Sequence, residues 1–287
     1  MLKLKQALAE AVERLERNEV GSPHMNAEVL LMMTLNCDRA YLYAHDDRGL
    51  SEEEMRLYEG YVAERARGVP SQYITGHQEF WGLDFVVNPS VLIPRPETEH
   101  VIEVVLELAK EMGFGAEKGR PKLIDVGTGS GAIAIALAKE FAAADVTAVD
   151  LSEAALETAK LNAVRLEVGE RVRFAKSDVM ADVVRDGSYD FVVSNPPYVA
   201  LNEADKVQDV VKKFEPKMAV FAGEHGFDVI DRLIPQALEA LRPGGYLVME
   251  IGYSMSEGTM ARLCGWGNVH AVPDLAGIPR VVVARRT

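Results

Sequence analysis

Cysteine is nearly absent: Cys37 and Cys264 are the only two in 287 residues. One distant pair makes no CxxC motif and no disulfide framework, which fits a reducing compartment. Long apolar runs are missing too. None approaches the ~18 residues of a membrane span, and the opening MLKLKQALAE holds no apolar core of signal-peptide length. A soluble, cytoplasmic protein is expected. Positive charge is scarce, with 31 lysines and arginines against 44 aspartates and glutamates, a balance of −13. That field repels a phosphate backbone, so no general affinity for nucleic acid is expected. The six histidines show no HxxxH or HExxH spacing, and no GxSxG elbow occurs. Neither a metal centre nor a serine nucleophile is expected. The rest of the composition, 48% hydrophobic and 26% charged, is that of a globular chain long enough for two domains.

Residues 1 to about 75 read as helices. Leu4, Leu8, Ala11, Val12 and Leu15 share one face at helical spacing. Ser22 followed by Pro23 predicts a capped second helix. Ser51 and Glu54 form a capping-box pattern, with Met55, Tyr58 and Val62 on the inner face behind it. The segment breaks at Gly68 and Pro70. Over 76–95, Phe80, Trp81, Phe85, Val86 and Val87 around Gly82 predict a β-hairpin linking two domains. A helix over about 97–112 follows.

From Lys122 strands and helices alternate. Strands are predicted at 123–126, 146–149, 172–174, 191–193 and 246–249, with two more near 269–272 and 280–284. Helices are predicted at 131–140, 152–166 and 227–241, with a turn at Pro243-Gly244-Gly245. This alternation predicts an α/β fold, a mostly parallel sheet with helices on both faces.

Between the first of these strands and its helix lies Asp125-Val126-Gly127-Thr128-Gly129-Ser130-Gly131-Ala132. Glycines there let the chain turn sharply and a ligand approach the backbone closely. The pattern also satisfies GxGxxA, so a dinucleotide remains open at this point. Asp150 ends the second strand, near the ~20-residue offset at which a carboxylate meets ribose hydroxyls. A helix cap beside Ser152 is its competing role. Asp178 follows the third strand, placed either to accept from an adenine amino group or to sit in solvated loop.

Asn195-Pro196-Pro197-Tyr198 closes the strand at 191–193. Proline has no N–H, so this backbone offers acceptors in a rigid shape. Asn195 adds a side-chain carbonyl and Tyr198 a flat face. The set suits a planar NH2 group, whose two donors leave the nitrogen lone pair aimed out of plane toward an electrophile. A dehydrogenase needs no such arrangement.

Taken together, the alternation, the glycine loop and Asn-Pro-Pro-Tyr resemble the class I S-adenosylmethionine methyltransferases that modify exocyclic or amide nitrogens, in a Rossmann-like sheet. Phe80-Trp81-Gly82, Leu92-Ile93-Pro94-Arg95-Pro96-Glu97-Thr98-Glu99 and Phe214-Glu215-Pro216, with the helical N-terminus, resemble the release-factor glutamine methyltransferases, the HemK/PrmC family. That resemblance implies three parts: a helical substrate-docking domain over 1–75, a hairpin linker over 76–95 and a cofactor-binding catalytic domain over 96–287. It implies that Gly127, Thr128, Gly129, Ser130 and Gly131 hold the methionine part of S-adenosyl-L-methionine, Asp150 the ribose, and Asp178 or Val179 the adenine rim. It implies that Asn195, with Pro196, Pro197 and Tyr198, binds the substrate amide and borders the cofactor. The implied substrate is the glutamine of the Gly-Gly-Gln loop in peptide-chain release factors. The same acceptor motif also occurs in enzymes that methylate adenine N6 or guanine N2, which is the alternative reading. Two departures stand out. Asn26 takes the place of a customary aspartate, and Val179 that of an aromatic found in some members. Glu250, ending a later strand, is expected either to line the pocket or to support it.

Overall fold

In a computed structural model, which describes residues 2–114 and 119–287, the chain forms two compact units, Met1–His77 and Gln78–Thr287. The first is helical: α1 (Leu4–Arg17), α2 (Pro23–Leu35), α3 (Arg39–Ala44), α4 (Glu52–Ala66) and α5 (Ser71–Thr75). Leu4, Ala7, Ala11 and Leu15 recur every three or four residues on α1 and pack in one core with Leu30, Leu31, Tyr58 and Val62. Ser51 and Glu54 complete the capping box at α4, each side chain accepting from the other's backbone N–H, at 3.2 and 2.8 Å. Ser22 does not cap α2 through its side chain. Its backbone is left-handed (φ 50°), away from the extended geometry that brings a capping oxygen over the first turn. Asn26 holds this entry instead. Its amide donates to the carbonyls of Gly21 and Ser22, and its Oδ1 accepts from Arg65 Nε at 2.7 Å.

The hairpin β1 (His77–Phe80) and β2 (Leu83–Val86) follows, its residues after His77 belonging to the second unit. Trp81 and Gly82 between them both have positive φ, the geometry whose twist suits a two-residue hairpin. Phe80 and Phe85 are fully buried in this unit's core. Next come α6 (Glu99–Glu111), β3 (Lys122–Val126), α7 (Ala132–Glu140), β4 (Asp145–Asp150), α8 (Glu153–Arg165), β5 (Val172–Lys176) and β6 (Tyr189–Ser194). The chain ends with α9 (Asp209–Phe214), α10 (Lys217–Val220), α11 (Asp228–Ala240), β7 (Leu241–Glu250), α12 (Ser256–Arg262), β8 (Gly267–Pro273) and β9 (Pro279–Arg285).

Among the described residues the sheet runs β5-β4-β3-β6-β7-β9-β8. The first five strands are parallel, and β9 and β8 are antiparallel. Two separate cores cover it, one holding apolar side chains of α6 and α7, the other those of α11. The α/β architecture with a mostly parallel sheet is therefore as expected. Strand order reverses at β3, between β4 and β6, and a crevice opens beyond the carboxyl ends there. Two local differences have physical causes. Pro243-Gly244-Gly245 lies inside β7 rather than forming a turn ahead of it, and the pairing of β6 with β7 shifts register between Tyr189 and Phe191. A Cβ on Gly245 would lie 2.9 Å from the Asp190 carbonyl oxygen, so glycine permits this close pairing. The helix α12 lies over a stretch for which no element is predicted, and its Gly258 packs on Phe227, where a Cβ would approach to 2.7 Å.

Candidate active site

The crevice holds a cavity of about 370 Å³. Its floor is the loop after β3, where Gly127, Thr128, Gly129 and Ser130 line it. Gly127 and Gly129 have φ of 74° and 56°, and a Cβ on either meets nothing within 4 Å. Side chains there would project into open cavity, so the bare backbone is what a ligand meets. Gly131 does not line the cavity. It starts α7 with φ 85°, and a Cβ would lie 2.8 Å from Ile135 Cδ1 and 3.2 Å from Ala159 Cβ. Its missing side chain serves the packing of α7 on α8.

Asp125 sits beneath this loop, 1% exposed. Its Oδ2 accepts from the Thr128 hydroxyl at 2.6 Å and from Ala134 N–H at 3.2 Å. Its Oδ1 has no hydrogen-bond partner among the described residues. Burial pushes its carboxyl up to about 7, partly offset by those two donors. On the next wall, Asp150 takes Gly129 N–H on Oδ2 at 2.9 Å and Ser152 N–H on Oδ1 at 2.8 Å. Burial raises its pKa. Ser152, not Asp150, caps α8, accepting from Ala155 N–H. The carboxylate therefore ties the loop to the strand end while its remaining lone pairs border the cavity.

Asp178 and Val179 both line the cavity. The Asp178 carboxylate is gripped by Arg232 Nη1, at 2.7 and 2.6 Å to its two oxygens. Val179 is buried with φ 55°, a left-handed backbone that a β-branched residue adopts only under strain.

Beyond β6, Asn195, Pro196 and Pro197 line the cavity and Tyr198 does not. The Tyr198 ring packs against the core, and its hydroxyl donates to Glu250 Oε1 at 3.2 Å. Asn195 Nδ2 donates to Thr98 Oγ1 at 3.0 Å, and the Thr98 hydroxyl donates to Glu250 Oε2 at 2.6 Å. Glu250 is 3% exposed and absent from the cavity wall, so it supports the site rather than lining it. Burial pushes its carboxyl up to about 7. The opposite wall carries Pro94, Arg95 and Pro216. Glu215, itself buried, accepts from Arg95 at 2.5 Å and from Ile93 N–H at 3.3 Å. The Leu92–Glu99 and Phe214–Pro216 motifs thus meet across a gap of 120 residues in sequence. Within these motifs no local pattern marks the roles of Thr98, Arg95 or Glu215. Asn162 was missed outright. Its amide bonds Val86 on β2 and the Ser130 carbonyl, joining hairpin to loop.

The sheet order, the cavity at its switch point and the proline-rich wall after β6 define a class, the Rossmann-like methyltransferases. One solved relative in fold is the T. thermophilus 16S rRNA methyltransferase in complex with AdoMet and guanosine. It is 19% identical, with a TM-score of 0.54 over 74% of this chain and 50% of that one. Residues 6–76 match the PrmC N-terminal domain and residues 108–217 the methyltransferase small domain. The release factor glutamine methyltransferase of Koribacter versatilis is 53% identical over 99% of this chain and 98% of its own. That of Nitratidesulfovibrio vulgaris is 40% identical over 97% and 94%. The chain belongs to the release factor glutamine methyltransferase family. No helix among the described residues is long and apolar enough to cross a membrane.

Proposed function

We propose that this protein methylates the side-chain amide nitrogen of the glutamine in the Gly-Gly-Gln loop of peptide-chain release factors, in the cytoplasm, with S-adenosyl-L-methionine as donor. The observation that carries the reading is the Asn195 wall. Its amide nitrogen is occupied by Thr98, which leaves Oδ1 as the group that can accept from a substrate NH2. The cavity fits the donor: a side-chain-free glycine floor, a carboxylate at Asp150, and acidic groups that favour a cation. Gly127, Thr128, Gly129 and Ser130 would hold its amino-acid end, Asp150 its ribose, and Asp178 and Val179 its base. When bound it supplies a methyl carbon on a sulfonium; transfer breaks the carbon–sulfur bond, forms a carbon–nitrogen bond and releases one amide proton. Asn195 and the Pro196-Pro197 backbone hold the glutamine amide by its two N–H groups. Positioning supplies most of the rate, because an amide nitrogen is a poor nucleophile.

The alternative, methylation of a nucleic-acid amine, is opposed by the net charge of −13 and by the family of the relatives. The helical unit is assigned to docking the release factor, since a glutamine on a loop offers little surface for discrimination and remote contacts must supply it. Asn195→Ala tests the central reading. It should abolish methylation of a release factor while cofactor affinity, measured calorimetrically, is retained. Near-normal turnover would overturn the assignment. Docking predicts that kcat/KM on the intact factor exceeds that on a Gly-Gly-Gln peptide, and equal values would count against it.

A further inference from the structure

The chain of hydrogen bonds behind Asn195 has a defined polarity. Asn195 Nδ2–H can only donate, so Thr98 Oγ1 accepts from it. The Thr98 proton is thereby directed elsewhere, and it goes to Glu250 Oε2. Glu250 Oε1 in turn accepts from the Tyr198 hydroxyl. Three elements distant in sequence converge here: the helical turn carrying Thr98, the acceptor motif after β6, and the end of β7. Each bond sets the direction of the next.

We infer that Thr98 and Glu250 are positioning residues that fix which end of the Asn195 amide faces the substrate. The inference rests on the proposed role of Asn195 as acceptor for the glutamine amide. Without an oxygen at Glu250 to accept its proton, the Thr98 hydroxyl is free to donate to Asn195 Oδ1. The amide then turns over and presents NH2 to the substrate NH2, donor against donor. A protonated Glu250 weakens the same polarity by offering a proton of its own to Thr98 or Tyr198. The charges that bear on Glu250 are few. Glu97 opposes its ionisation, and Arg280 together with the Thr98 and Tyr198 hydroxyls favours it. Burial outweighs these and holds the carboxyl near 7. Turnover is therefore expected to rise with pH through about 7.

Four variants test this, each assayed for methyl transfer to a release factor across pH and for S-adenosylmethionine affinity by calorimetry. Thr98→Val keeps the shape and removes the hydroxyl; Glu250→Leu removes the acceptor. Both should lower kcat about tenfold to hundredfold, the range of one hydrogen bond to a charged group, with cofactor affinity unchanged. Thr98→Ser should restore turnover. Glu250→Gln can still accept from Thr98 while its NH2 faces Tyr198, so it should keep most of the activity and lose the acid limb near pH 7. Wild-type kcat in Thr98→Val, a parallel loss of cofactor affinity and turnover, or an acid limb that persists in Glu250→Gln would each overturn the inference. If Asn195→Ala itself remains active, the acceptor reading fails instead, and the two failures are distinguished.

Discussion

Asp125→Asn should make the protein more stable at alkaline pH. The wild-type carboxyl is buried, one oxygen lacks a partner, and its pKa stands at about 7 against an ordinary 3.8. The unfolded chain therefore ionises this group before the folded one does. As pH rises from about 4 to 7 the unfolded state holds fewer protons, and stability falls. Asparagine does not titrate and keeps an oxygen for the Thr128 hydroxyl and Ala134 N–H. Between pH 5 and pH 8 the wild type loses on the order of 1.36 kcal/mol per unit up to its folded pKa, about 3 kcal/mol, that the variant does not lose. For a domain of this size the gap in Tm should widen by roughly 6–12 °C over that range. Other titrating groups, Glu250 among them, are common to both proteins and cancel in the difference. The assay is thermal and urea unfolding of the two proteins at pH 5 and pH 8 without cofactor. A gap that is constant with pH, or that reverses, refutes the reasoning.

Three further outcomes are expected. Asp150→Ala should raise the calorimetric Kd for S-adenosylmethionine about tenfold to hundredfold, since it removes the carboxylate proposed to meet the ribose and the tie to Gly129 N–H; an unchanged Kd is inconsistent with that role. Gly131→Ala should destabilise by about 1–3 kcal/mol through the left-handed φ and the 2.8 Å approach to Ile135, a cost read from urea unfolding that ligand-free wild-type stability would contradict. Asn26→Asp should lower rather than raise stability despite facing Arg65, because it sets a carboxylate oxygen against the Gly21 and Ser22 carbonyls; a higher unfolding midpoint at pH 8 shows the ion pair dominating.

The alternation from Lys122 onward was legible because buried parallel strands and amphipathic helices leave strong local periods. The glycine loop and Asn-Pro-Pro carry their chemistry within a few consecutive residues, so the cavity walls they form could be named in advance. Contacts between distant residues could not. Nothing local to Glu215 announces Arg95, and nothing in Thr98 points to Glu250, since each pairing is made by the sheet order alone. Tyr198 is expected to offer its flat face beside the prolines, and nothing in the motif announces that its hydroxyl bonds Glu250. Nothing local to Gly131 announces that its missing side chain makes room for Ala159 on α8.

The central claim is tested most directly by incubating the protein with S-adenosylmethionine labelled in its methyl group and three candidate acceptors side by side: a release factor, bulk tRNA and duplex DNA. Label should enter the release factor alone, on the tryptic peptide that holds the Gly-Gly-Gln glutamine, and should vanish when that glutamine is replaced by alanine. Label in nucleic acid, or on a release factor that lacks the glutamine, would contradict the account.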